Sequence, residues 1–183
     1  MARSPIPLPS ADYLRECFEY DPDTGVLRWK MRPQRHFRSV RSCNIWNARF
    51  PGKPAGCSKP SSQYVLVSVD DHFYFAHRLI WVMLYGSEPG PTIDHRDGNK
   101  HNNRPDNLRA ATYTQNTSNR GLSKRNKSGF KGVIWDSRKR TWRAEITVDY
   151  KCQFIGHFKT AAEAHAAWCV AARKERGEFF NAG

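Results

Sequence analysis

The pattern of apolar and polar positions predicts two structural units. Ser10 suits a helix N-cap, and the apolar stripe of Leu14, Cys17 and Phe18 after it has helical spacing. This helix should end before residues 21–25, whose Asp, Pro and Gly residues favour a turn. The other elements predicted in the first unit are a strand at 26–29, a hairpin at 64–76 and a helix at 77–85.

The second unit follows a polar, Asn-rich stretch that is poor material for a core. Its strand-like runs cover residues 130–135, 141–148 and 152–158. Thr160 and Glu163 then form a capping box at the start of an Ala-rich helix. Small residues on the packing face let a helix lie close to a sheet, so we expect a three-stranded sheet backed by one helix.

Charge narrows the class of partner. The 183 residues hold 30 Lys and Arg against 17 Asp and Glu, a net charge of +13, and 13% aromatic residues argue against wholesale disorder. Two acid-free basic runs, 30–59 and 120–131, have loop-like composition and could follow a phosphate backbone. Either run alone could be a solvated surface. Together they favour contact with DNA or RNA.

Membrane and disulfide-rich classes are disfavoured. No apolar run approaches the roughly 18 residues that span a bilayer, and no signal-like segment follows the N-terminus, so we expect a cytoplasmic protein. The five cysteines are widely spaced without a Cys-x-x-Cys pair, which disfavours a disulfide framework and a structural zinc site.

The polar middle of the chain carries candidate chemistry. Asp94 and His95 are adjacent at the end of a strand-like run, and Asn107 and Asn116 follow. A neutral imidazole suits activation of water near pH 7, while carboxylate and amide oxygens suit Mg²⁺. Adjacent strand residues face opposite ways, so Asp94 and His95 can share a site only if the strand ends there. The same residues could instead form a turn, with Asn107 as its cap.

These residues occur in an order that resembles the HNH homing endonucleases of phages. The matching motifs are Tyr20 to Leu27, His77-Arg78-Leu79-Ile80-Trp81, Ile93-Asp94-His95-x-Asp97-Gly98-Asn99, Asn102-Asn103, Asn107-Leu108-Arg109 and Asn116. The resemblance covers most of residues 10–120 and implies a ββα-metal core, in which a long loop joins two strands and a helix crosses them.

The resemblance also implies a role for each motif residue. His95 would be the general base, and Asn107 would hold the loop and orient the side chain of His95. Asp94 and Asn116 would hold one Mg²⁺ or Mn²⁺ per active site, Asn116 also being counted as catalytic. Members of this family cut one strand or both.

The C-terminal part is similar to the plant ethylene-response-factor, or Apetala-type, DNA-binding domain. The similar motifs are residues 129–133, 142–146 and 155–160, Glu163-Ala164, Gly177 and Asn181. The family lays its sheet in the major groove. Ile134, Asp136 and Phe154 depart from the plant pattern, so the fold should carry over but the plant sequence specificity should not.

The sequence therefore predicts an α+β protein: a ββα-metal (HNH) nuclease core and then a small three-stranded antiparallel sheet packed on one helix. Its expected domains are residues 1–119, including the basic loop 30–59, a basic linker at 120–128 and the Apetala-type domain at 129–183. The expected DNA contacts are His77, Arg78, Arg32, Arg35, Arg38, Arg41, Arg109, Lys124, Arg125, Lys127, Lys131, Arg138, Arg140, Trp142 and Arg143. His77 and Trp142 have core packing as their alternative.

The expected activity is metal-dependent hydrolysis of double-stranded DNA, in the host cell cytoplasm for a phage protein. The alternative is a DNA-binding protein or regulator whose nuclease core is inactive. The sequence leaves open whether the chain is a monomer or a homodimer.

Overall fold

The computed structural model describes residues 6–58, 63–123 and 125–183. Internal contacts divide the chain into two compact units, Met1–Ala110 and Ala111–Gly183. The first unit contains α1 (Ala11–Cys17), β1 (Phe18–Asp21), β2 (Val26–Trp29), a 3₁₀ turn (Gln34–His36), α2 (Val40–Arg49), β3 (Cys57–Ser58), β4 (Val65–Val69), β5 (His72–Phe75), α3 (Ala76–Tyr85), β6 (Thr92–His95) and β7 (Leu108–Ala111). The second contains α4 (Tyr113–Ser118), β8 (Val133–Asp136), β9 (Thr141–Val148), β10 (Lys151–Phe158), α5 (Ala161–Arg176) and a 3₁₀ turn (Gly177–Phe179).

The first unit begins with the predicted helix, but this helix is shorter than expected, because Phe18 starts the strand β1 instead of continuing the helix. The Ser10 hydroxyl accepts a hydrogen bond from the Tyr13 amide and caps α1. β1 and β2 then pair as an antiparallel hairpin. Its turn contains Gly25, with φ of +72°, and a Cβ there would lie 2.8 Å from the Arg104 backbone nitrogen. Only glycine meets both the backbone angle and the close approach.

The core of the first unit forms where α1, α3 and β4 meet. Leu14 and Phe18 pack with Val67 and with Leu79 and Ile80, and all five are at most 2% exposed. Burial of each such side chain contributes about 1.5–3 kcal/mol before the entropy of folding is deducted. α3 ends at Gly86 with φ of +68°, the left-handed cap that the sequence suggests.

The segment after β2 departs from the prediction of a loop. Residues 34–49 form a 3₁₀ turn and then α2, whose N-cap Ser39 makes a capping box with Ser42. The chain after α2 pairs with β2, through Trp29 N to Lys53 O at 3.0 Å and Ala55 N to Leu27 O at 2.7 Å. The loop expectation is therefore wrong for this segment, which is folded onto β2.

The second unit is a three-stranded antiparallel sheet in the order β10-β9-β8, with α5 packed on it. Its core combines Val133, Ala144 and Ile146 with Ala164, Trp168 and Ala172 of α5. The Thr160–Glu163 capping box is present, as predicted. The first strand starts at Val133 rather than at residue 130.

Both units confirm an α+β architecture built from small sheets. Within the described residues, no helix is both long enough and apolar enough to cross a membrane.

Candidate functional site

The candidate site lies where β6 ends. Asp94 and His95 are the last two residues of the strand and both are fully buried. The loop of residues 96–107 follows, and β7 then pairs with β6. Both residues belong to the strand, and the loop begins directly after His95.

Asn107 holds this loop in place. Its Nδ2 donates to Asp97 Oδ1 at 3.0 Å and to the Asn102 carbonyl at 2.7 Å. Its Oδ1 accepts from the Asp97 amide at 3.0 Å. Partial burial raises the pKa of Asp97, but hydrogen bonds from Asn102, the Asn99 amide and Asn107 outweigh it and hold that pKa below its ordinary value. An ionised Asp97 and Asn107 therefore clamp the two ends of the loop.

The imidazole of His95 is fixed by Asn103. Its Nε2 lies 3.1 Å from Asn103 Oδ1. An amide oxygen only accepts, so Nε2 carries the proton and the neutral ring has its lone pair on Nδ1. Burial lowers the pKa of His95 below its usual value. The ring is consequently neutral near pH 7, as a general base must be.

Asp94 is paired with Arg109. The guanidinium donates to Asp94 Oδ2 through Nε at 2.9 Å and through Nη2 at 2.7 Å. The two side chains are 0% and 7% exposed. A buried carboxylate needs such a partner. Arg109 was predicted to contact DNA, and here its guanidinium is buried and hydrogen-bonded to the carboxylate of Asp94.

His77 lies in the aromatic packing next to His95. Its ring stacks on Phe75, with centroids 5.6 Å apart, and lies 5.2 Å from the rings of Tyr64 and His95. Burial lowers the pKa of His77 to about 3. His77 is thus a packed, neutral residue, the alternative that the sequence left open.

The predicted metal ligands lie in different units. Asp94 ends β6 in the first unit, and the half-buried Asn116 lies on α4 in the second. Thr112 caps α4 through a capping box with Gln115. Carboxylate and amide oxygens are the donor types that Mg²⁺ takes, so each of the two side chains has an oxygen that suits such a cation. Across the described ranges, no cluster of three or more His, Cys, Asp or Glu side chains is arranged to hold a metal.

Arg32 is the second basic residue that the structure buries. Its guanidinium donates to Asp70 Oδ1 at 2.8 Å and lies 5.3 Å from the centre of the Trp46 ring. Arg32 was predicted to contact DNA, and here it fills an aromatic site and pairs with a carboxylate 38 positions away in the sequence. Arg35 is exposed but paired with Glu16.

The remaining predicted DNA contacts differ in exposure. Arg38, Arg41, Arg125, Lys127, Arg138 and Arg140 are exposed, Arg78 is half-buried, and Lys124 lies outside the described residues. In the second unit, the ammonium of Lys131 donates to the Asn181 carbonyl at 2.9 Å and Arg143 pairs with Glu145. Trp142 packs against the core, on the same face of β9 as Ala144 and Ile146, which is the face towards α5. Its ring centre lies 5.1 Å from that of Trp135.

The sequence did not predict the roles that two residues have at this site. Asn103 positions the imidazole, and its signal was present in the Asn102-Asn103 motif. Arg109 neutralises Asp94 from the neighbouring strand β7, and no spacing in the sequence reveals this pairing.

Comparison with known proteins agrees with this geometry. The family model described as HNH endonuclease matches residues 74–118, which run from β5 to the end of α4. The chain is 36% identical over 105 residues to protein 3.8 of Escherichia phage T7, an alignment that covers 56% of this chain and 85% of the phage protein. No solved structure matches the chain. The chain therefore belongs to the family of phage T7 protein 3.8 and carries an HNH endonuclease family domain at residues 74–118.

Proposed function

We propose that the protein is a metal-dependent endonuclease that hydrolyses phosphodiester bonds in double-stranded DNA. One observation carries the proposal: a neutral imidazole, oriented by Asn103, directly follows a buried carboxylate in the sequence at the end of β6. Both residues are inside the segment that matches the HNH endonuclease family. An HNH domain implies a nuclease-like action on DNA, and this pair supplies a base and a hard ligand for it.

Each residue has a distinct part in the proposed reaction. Nδ1 of His95 takes the proton from the attacking water, because Nε2 is already committed to Asn103. Asp94 and Asn116 would hold one Mg²⁺ or Mn²⁺. When bound, the cation supplies positive charge against the developing phosphorane and the leaving alkoxide.

Other residues keep this arrangement in place. The guanidinium of Arg109 fixes the carboxylate of Asp94 through two hydrogen bonds. Asn107 and Asp97 fix the loop that carries Asn103. We count Arg109 and Asn103 as positioning residues, since each acts through a neighbour.

DNA would be held mainly outside this site. The exposed basic side chains of residues 35–41 and 125–127 can neutralise phosphates, and each such contact adds salt-dependent affinity. The three-stranded sheet and α5 would form an Apetala-type DNA-binding domain with its own sequence preference. A phage relative at 36% identity supports action in the cytoplasm of a host cell.

A DNA-binding protein without cleavage is the second candidate. The Arg109 guanidinium already balances the charge of Asp94. A folded core of this kind is therefore stable without a cation. An inactive regulator would also require such stability.

Incubation with supercoiled plasmid separates the two candidates. We expect nicked or linear product with Mg²⁺ or Mn²⁺ and none with EDTA. Asn116→Asp should retain activity because it keeps a side-chain oxygen donor, whereas Asn116→Leu should lose it. If neither metal yields any product while the DNA is bound, the protein is the second candidate and the endonuclease proposal fails.

A further inference from the structure

The helix α2 has one face fixed to the first unit. Cys43 is buried, and Trp46 lies within 5.8 Å of three aromatic rings, those of Trp29, Phe37 and Phe50, between ring centres. These contacts attach α2 to β2 and to the 3₁₀ turn before it. The helix is a packed element rather than a mobile arm.

Two hydrogen bonds fix the rotation of α2 about its axis. Asn47 Oδ1 accepts from the Arg32 amide at 2.9 Å, and Asn47 Nδ2 donates to the Arg32 carbonyl at 2.9 Å. Arg32 is itself held by Asp70. Side chains on the opposite face of α2 are therefore presented in a set direction, as recognition of a ligand requires.

The opposite face combines two cations, an amide and two apolar residues. Arg41, Asn44, Ile45, Ala48 and Arg49 occupy positions i, i+3, i+4, i+7 and i+8, and all five are exposed. Among the described residues, none forms a hydrogen bond or an ion pair with the side chain of Arg41 or Asn44. Asn is a poor helix former, so an exposed Asn in the middle of this short helix weakens it rather than stabilising it. Recognition of a ligand would explain its place there.

The surrounding charge indicates a polyanion. Residues 24–69 contain nine Lys and Arg and no Asp or Glu. Arg and Asn are also the side chains that form paired hydrogen bonds with guanine and with adenine in the major groove. A duplex with B-form geometry fits, whereas the major groove of double-stranded RNA is too narrow for a helix.

The dimensions agree with this ligand. A helix of 10 residues is about 15 Å long, and the major groove is about 12 Å wide and admits such a helix. The exposed face from Arg41 to Arg49 spans about 12 Å along the helix axis, roughly three to four base-pair steps. The small side chain of Ala48 leaves room for the bases to approach the second half of this face.

We propose that α2 lies in the major groove of the bound duplex and that Arg41 and Asn44 contact base edges there. This inference rests on the proposed action on double-stranded DNA and adds a specificity-determining element to it. Arg41 would select guanine, and Asn44 would select adenine. The exposed Ile45 and Ala48 beside them can contact thymine methyl groups.

Selection from a library of random duplexes tests this assignment. The full-length protein and its Arg41→Ala and Asn44→Ala variants are compared without metal, so that binding alone is scored. We expect each substitution to weaken the base preference at one or two adjacent positions of the wild-type motif. At those positions, discrimination between the preferred base and the others should fall by about 5- to 150-fold. Ala is a better helix former than either Arg or Asn, so loss of α2 would not explain the result.

Arg38→Ala is the matched control. Arg38 is exposed and precedes the Ser39 cap, so it lies off the helix face. The Arg38→Ala substitution should leave the selected motif unchanged. Where Arg38 contacts a phosphate, the substitution should lower the slope of log affinity against log salt by about 1.

The outcomes separate this inference from the proposed function. The proposed role of α2 is overturned if the α2 variants select the same motif as wild type, or if the wild-type protein selects no motif. Neither result bears on nuclease activity, which the plasmid assay measures separately. If the α2 substitutions alter the motif but the protein never cuts plasmid, the inference about α2 is supported and the endonuclease proposal is contradicted.

Discussion

The buried pair of Asp94 and Arg109 yields a sharp prediction about stability. Arg109→Met keeps most of the side-chain volume but removes the guanidinium that donates both hydrogen bonds to Oδ2 of Asp94. Asp94→Asn instead leaves the guanidinium without its charged partner. Each single change thus leaves one buried group uncompensated.

The expected magnitude follows from burial. With 0% and 7% side-chain exposure, neither group can recover hydration from solvent. Breaking such a pair costs about 3–5 kcal/mol, a large share of the roughly 5–15 kcal/mol that stabilises a typical domain. The double variant removes both charges, so its loss should be smaller than the sum of the single losses by about 3 kcal/mol.

These losses in unfolding free energy can be measured in the first unit by urea unfolding, with hydrogen exchange in peptides from residues 63–110 as the probe. The control is Arg104→Met, which breaks the exposed Arg104–Asp106 pair at 3.4 Å and should cost about 0–1 kcal/mol. Additive single effects, or a loss for Arg109→Met no larger than for Arg104→Met, would refute a buried and coupled pair.

Three further predictions concern pH, packing and the orientation of the imidazole. The pKa of His77 is about 3 in the folded protein and near 6.5 in an unfolded chain, so stability is full above about pH 6.5 and falls by up to ~1.4 kcal/mol per pH unit towards pH 3. Urea midpoints at pH 7 and pH 5 should show this slope, and His77→Phe should reduce it. Gly132→Ala would place a Cβ 2.0 Å from the Trp168 ring, whereas Gly129→Ala meets nothing within 4 Å although both glycines have positive φ. Both substitutions should lower the free energy of unfolding by roughly 1–2 kcal/mol, because alanine is strained in the left-handed backbone region. Thermal unfolding should show a further loss of at least about 1–3 kcal/mol for Gly132→Ala. Asn103→Ala should lower single-turnover cleavage about 10- to 100-fold at unchanged DNA affinity, and Asn103→Asp, which keeps an acceptor oxygen, should restore much of it.

Local signals predicted much of the fold. The caps at Ser10, Gly86 and Thr160 lie where their residue types indicate, because a cap depends on only a few neighbouring groups. The strand β6 also ends with Asp94 and His95, where the strand-like run in the sequence ends. Short-range chemistry was sufficient in each of these cases.

Long-range pairing could not be predicted in the same way. The sequence predicts DNA contacts for Arg32 and Arg109, since nothing near them in the sequence identifies Asp70 and Asp94 as their partners. α2 was missed for a related reason. Its exposed Arg and Asn residues suggest a loop, and only the packing of Trp46 against distant aromatic rings explains why a helix forms.

Cleavage and binding by His95→Ala together test the central claim most directly. Single-turnover cleavage of supercoiled plasmid and affinity for the same DNA are measured for wild type, His95→Ala and His101→Ala, whose histidine is exposed on the adjacent loop. We predict that His95→Ala lowers cleavage by about 10²- to 10⁴-fold, the usual contribution of a general base, with affinity within a few-fold of wild type. His101→Ala should resemble wild type in both measurements. Retained cleavage by His95→Ala, or a loss of affinity as large as the loss of cleavage, would contradict the role of His95 as the general base.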